Sequence, residues 1–224
     1  MKKILLPVML VFCLSGALNA AEKEALETID RANKMLEMIE YGQVVRIGHN
    51  YFGMIHWATE IAQKRDPNDE QLKQFAEIFY NAKYNSNATL YDSLTDQERS
   101  DLKISLQDAL IKVDELKQYI IYLQKKEALD SIDRANKMLS SDEIGRIRHN
   151  YFGLIHWATE IVQVVYPNDE RLKQFAEIFY NAKYDPNAML YDSLPNQKKS
   201  ELNINLQNAI EKAGELKQYI VTIK

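Results

Sequence analysis

The chain reads as an all-α protein made of two tandem copies of one four-helix unit. Three observations predict this. Residues 49–84 recur as residues 149–184 with 30 of 36 positions identical. Apolar residues return at three- and four-residue spacing through every long segment, the period of a helix face. No segment alternates apolar and polar residues for long enough to form a strand.

The repeat extends beyond its central block, whose differences fall at positions 54, 62, 64, 65, 66 and 71. Residues 29–36 return as 132–139 and residues 116–120 as 216–220. The second copy is therefore three residues shorter ahead of His149. This pattern is a duplicated domain rather than a short solenoid repeat. The expected organisation is a leader over 1–20, a first unit over 21–124 and a second over 125–224.

The first twenty residues carry the order of a secretory leader. Met1, Lys2 and Lys3 make a positive start, residues 4–14 are mostly apolar, and Ala20 and Ala21 supply small residues before Glu22. The apolar run is shorter than the roughly 20 residues that span a bilayer. Cleavage near Ala20 and a periplasmic or secreted address are expected, with no membrane insertion of the mature chain. Cys13, the only cysteine, lies inside that run, so the mature chain is expected to lack disulfides, thiol catalysis and zinc–thiolate sites. An apolar core alone must then hold it.

Charge narrows the partners. The chain has 28 basic and 32 acidic side chains, a net of −4. Residues 22–124 carry a net of −6 and residues 125–224 a net of zero. Neither half has the basic footprint of a nucleic-acid binder.

Each unit then resolves into four helices. In the first copy, helix one is predicted over 23–40 and helix two over 44–64. Pro67 ends or opens a helix, with Asp69 and Glu70 in the first turn of helix three, where acids suit the dipole. Helix three runs to residue 83 on a stripe of Leu72, Phe75, Ala76, Phe79 and Ala82. A loop follows, and Thr95 with Glu98 forms a capping box for helix four. Neither Gly nor Pro occurs between Leu116 and Leu139. Helix four of the first copy is thus expected to run on into helix one of the second, and Ser140 with Glu143 marks the next restart.

Helix two departs from a plain apolar/polar division. Its core side gathers Tyr51, Ile55, Ala58 and Ile61, while the opposite side holds Arg46, His49, Gly53, His56 and Glu60, flanked by Phe52 and Trp57. The second copy repeats this as Arg146, His149, Gly153, His156 and Glu160, flanked by Phe152 and Trp157. All four histidines of the chain lie on these two stripes. Gly inside a helix costs about 1 kcal/mol relative to Ala, and it permits close approach of a backbone or ligand.

Three roles fit such a stripe: a solvated face, a packing or partner face, and a metal site. As a partner face it would use Phe52 and Trp57 as apolar anchors and the polar groups as hydrogen-bonding partners for another protein. As a metal or haem site it would use His56, Glu60, His156 and Glu160, since residues four apart share a helix face. His49 and His56, seven apart, stand about 10.5 Å apart along the axis and do not share an ion. No Cys-x-x-Cys-His attaches a haem, and no glycine loop or nucleophile elbow supports catalysis.

The expectation is therefore an exported helical protein that is not an enzyme and needs no cofactor. It would act through protein–protein contacts in an inhibitor, immunity-like or chaperone-like role. The metal- or haem-binding role stands as the alternative. Glu77 and Tyr80 of helix three, with Glu177 and Tyr180, read as ordinary surface residues.

Overall fold

The structure is a computed structural model that describes residues 20–35, 44–85, 93–139, 144–185 and 194–223. Within these ranges the side chains at 44–47, 106, 144–148, 202–203 and 205–206 are outside the description. The predicted leader up to residue 19, the Ser140–Glu143 box and residues 86–92 of the loop after helix three also lie outside it. Among the described residues every regular element is a helix and none is a strand. The protein is all-α.

The helices are α1 over residues 20–35, α2 Val44–Gln63, α3 Glu70–Lys83, α4 Asp96–Met138, α5 Ile144–Val165, α6 Glu170–Lys183 and α7 Asn196–Thr222. The chain divides into two compact units between Ile121 and Tyr122. That boundary falls inside α4, a single helix of 43 residues. Its length follows from the absence of any breaker between Leu116 and Leu139, since helix propagation continues until Gly, Pro or a cap stops it.

In the first unit α1, α2, α3 and the first part of α4 surround one apolar core. Ile29, Phe52, Ile55, Leu72, Phe79, Leu116 and Ile120 are fully buried there. The second unit builds its core from the later part of α4 with α5, α6 and α7, through Ile132, Phe152, Ile155, Leu172, Phe179, Leu216 and Ile220. Each such side chain contributes roughly 1.5–3 kcal/mol relative to exposure.

The turn into α3 shows how local chemistry sets the geometry. Asp69 stands outside the helix as its N-cap, rather than within its first turn. Its Oδ1 accepts from the Leu72 backbone N–H at 2.9 Å. α2 ends at Gln63, and the turn that carries Pro67 leads to an extended residue at 69 suited to that role. The second oxygen, Oδ2, accepts from the Tyr119 hydroxyl of α4 at 2.8 Å. Asp169 repeats this with Leu172 and Tyr219, at 2.9 and 2.6 Å. One carboxylate thus caps a helix and ties it to its neighbour in both units.

The predicted capping box of α4 is present. Thr95 Oγ1 accepts from the Glu98 N–H at 3.3 Å, and Glu98 Oε2 accepts from the Thr95 N–H at 2.8 Å. The Thr95 hydroxyl also donates to Glu98 Oε2 at 2.7 Å, and this bond first, then the one from the Thr95 N–H, holds the Glu98 carboxyl below its usual range. At the same place in the second unit Pro195 provides no side-chain cap.

The units also differ where α2 and α5 end. In the first, buried Glu22 of α1 accepts from the Arg65 guanidinium at 2.5 Å. In the second, position 165 is Val, and the residue matching Glu22 is Lys125, whose Nζ donates to the Ile223 carbonyl and lies 5.4 Å from the Tyr166 ring centre. A buried pair of opposite charges has been exchanged on both sides at once.

Candidate functional site

His49, Gly53 and His56 of the α2 stripe border α3 of their own unit. His49 Nδ1 lies 3.0 Å from the backbone oxygen of Lys83. A carbonyl only accepts, so this nitrogen carries the proton. The contact satisfies one of the carbonyls that every helix leaves open at its C-terminus. The His49 ring meets Tyr84 edge-on at 5.7 Å, and the His56 ring meets Tyr80 at 5.6 Å. Tyr80 and Tyr84 touch in turn, with ring centres 4.6 Å apart. Two histidines from α2 and two tyrosines from α3 thus form one ring ladder along the seam.

The second unit repeats the ladder on α5 and α6. His149 approaches the Lys183 carbonyl at 3.4 Å and Tyr184 at 5.8 Å. His156 meets Tyr180 at 5.7 Å, and Tyr180 meets Tyr184 at 4.7 Å. All four histidines serve this seam. The sequence showed the stripe but not its cover, because a helical wheel does not separate a solvated face from one that borders a polar neighbour. Tyr80, Lys83 and Tyr84 belong to the arrangement, and the signal for them was their spacing on α3, one turn apart.

Electrostatics at the seam are mixed. His56 Nδ1 lies 3.7 Å from Glu60 Oε2, and His156 Nδ1 lies 3.6 Å from Glu160 Oε2. Burial pushes the His156 ring below the ordinary histidine value, the Glu160 carboxylate opposes that shift, and Lys183 adds to it. The Lys83 ammonium sits 4.7 Å over the Tyr84 ring and Lys183 repeats this at 4.8 Å.

Two expectations for the stripe are corrected. Phe52 and Phe152 are not exposed anchors. Both are fully buried, packed on Phe79 and Phe179 with ring centres 6.4 Å apart in each unit. Their place on the wheel borders both seam and core, and burial of so large an apolar ring decides for the core. Gly53 does not admit an outside backbone or ligand. Its close neighbour is the Lys83 side-chain stem, and an added Cβ would stand 3.5 Å from Lys83 Cε, an ordinary contact. Gly153 is buried.

Trp57 is 46 % exposed, as an outward anchor requires. Trp157 is half-buried and packs against the second unit's core. Arg46 and Arg146 fall on helical backbone, and their side chains lie outside the description. Glu60 and Glu160 are exposed at the rim.

Within one unit the pair His56 and Glu60 offers two metal donors. Among the described residues no three His, Cys, Asp or Glu side chains come together. Comparison with protein-family models, curated proteins and solved structures gives no match.

Proposed function

We propose that this is an exported binding protein acting through protein–protein contacts made by the exposed rim of α2–α3 and its repeat on α5–α6. The supporting observation is the exposure of large aromatic side chains at repeated positions. Tyr80 and Tyr180 are both 51 % exposed, and Tyr84 and Tyr184 are comparably open. Tyrosine at a solvent boundary brings apolar area with little rotamer entropy to lose, which is why interfaces favour it. Export rests on the charged, apolar and small-residue order of the first twenty residues. No helix among the described residues is long and apolar enough to cross a membrane.

The test is native mass spectrometry of the chain isolated gently from its own host. It compares the natural protein with a variant carrying Tyr80→Ala, Tyr84→Ala, Tyr180→Ala and Tyr184→Ala. A second polypeptide that accompanies the natural chain and is lost from the variant is the expected result. Equal retention by both overturns the assignment of the rim. The same spectra read the start of the mature chain, expected at Ala21; a mature chain beginning at Met1 overturns the export proposal.

A further inference from the structure

We infer that the α2–α3 rim and its repeat on α5–α6 each dock a basic, arginine-bearing segment of a partner protein, so that one chain carries two matching sites. This rests on the docking role proposed above and adds the partner's chemistry and its stoichiometry.

The first support comes from comparing the copies. Sixteen described positions between 49 and 84 are exposed in the first unit, and 13 of them keep the same residue in the second. Between 96 and 120 fourteen are exposed, and only 6 keep it. Both stretches come from the same duplication, so their time to diverge is the same. Exposed positions tolerate most substitutions with little change in stability, so stability alone does not hold a surface unchanged. The outer surface of α4 behaves as expected: exposed Ile111 is answered by Glu211 and exposed Asp114 by Gly214. The α2–α3 rim does not drift, and Trp57, Glu60, Glu77, Tyr80, Lys83 and Tyr84 all recur.

The second support is chemical. Glu77 stands one turn from Tyr80 and two turns from Tyr84 on the exposed side of α3, and among the described residues it makes no ion pair. Across the seam Glu60 is exposed too, with its Oε2 3.7 Å from His56 Nδ1. The Lys83 ammonium lies over Tyr84. Tyrosine faces attract cations, and a guanidinium both stacks on a ring and pairs with a carboxylate. The chain already uses this contact internally, where the Arg171 guanidinium sits 4.5 Å over the Tyr219 ring. The exposed Glu77 carboxylate beside two exposed rings complements arginine better than it complements an acidic or neutral segment.

The test titrates the full chain with a fluorescein-labelled peptide alternating arginine and glycine. Peptides alternating glutamate or glutamine with glycine serve as comparisons. The expected result is two equivalents of the arginine peptide per chain, weakening as salt rises. Tyr80→Ala should leave one equivalent unchanged and one about fivefold weaker. Glu77→Gln with Glu177→Gln should weaken both about threefold. Asp101→Asn with Glu201→Gln removes two exposed acids elsewhere and should change nothing. Arginine-peptide binding untouched by the tyrosine changes overturns the inference, as does equal binding of the glutamine peptide. If the rim variants lose the host partner but bind the arginine peptide normally, docking stands and the basic-partner inference fails.

Discussion

The His156 ring lies 5.7 Å from the Tyr180 ring, with Glu160 on one side and Lys183 nearby. A titratable group is thereby held in the seam between two helices, only 17 % of its side chain exposed. Its burial makes the folded chain prefer the neutral imidazole.

A pH dependence follows. The folded pKa of His156 is lowered from 6.5, burial being the largest cause. Below 6.5 the unfolded chain binds a proton that the folded chain resists, so stability is full above that pH and falls as pH drops through it. The comparison that isolates this is urea denaturation of the natural chain and of His156→Gln, from about pH 7.5 downward. The natural chain should lose more stability than the variant over that range. Parallel pH profiles would sink the claim.

The two tryptophans should differ in solution although their neighbours in sequence are the same. Trp57 is nearly half exposed, and Trp157 leans on the core of its unit. Single-tryptophan chains made by Trp57→Phe and Trp157→Phe allow each to be read alone. Acrylamide should quench Trp57 more strongly and its emission should lie further to the red. Indistinguishable quenching contradicts the placement of Trp157.

Much of the fold was legible because apolar period and breakers determine it. The long α4 was written in the lack of Gly and Pro before Leu139, and the Thr95–Glu98 box in residue type and spacing alone. The candidate site was half legible. Periodicity gathered His49, His56 and Glu60 on one stripe, but which neighbour covers a stripe depends on tertiary packing. The same limit misplaced Phe52, which lies at the border of stripe and core. It also hid Tyr80, whose meaning comes from His56 on another helix. Asp69 was assigned to the first turn of α3 because an acid suits both that turn and the cap, and the Tyr119 hydroxyl is what fixes it as the cap.

Asp169 should be worth more than an ordinary cap. Partial burial alone would raise its carboxyl, but bonds from the Tyr219 hydroxyl and the Leu172 and Arg171 backbone, with the Arg171 charge, hold it below the usual range. The Tyr219 hydroxyl is raised in turn, chiefly by that same bond. Losing an N-cap costs about 1 kcal/mol. Asp169→Ala should therefore lower the unfolding free energy by more than Tyr219→Phe, which leaves the cap intact. The double variant should fall short of the sum, because both changes break one shared bond. Strict additivity in that cycle would show that the two residues act independently.

The last prediction concerns Glu22 and Arg65, which join α1 to the turn after α2. Glu22 is 1 % exposed and Arg65 19 %. Removing one member of such a pair leaves a buried charge without its main counterion, a loss of roughly 3–5 kcal/mol, while replacing both with apolar groups is often neutral. The second unit already carries Val165 where the first has Arg65, and there the position matching Glu22 holds no acid. Arg65→Val alone should thus destabilise the chain by about 3 kcal/mol. Arg65→Val together with Glu22→Leu should recover most of that loss. Chemical denaturation of the three chains decides it. If the double variant is no more stable than Arg65→Val, the buried carboxylate is not the source of the cost, and the exchange seen between the units needs another cause.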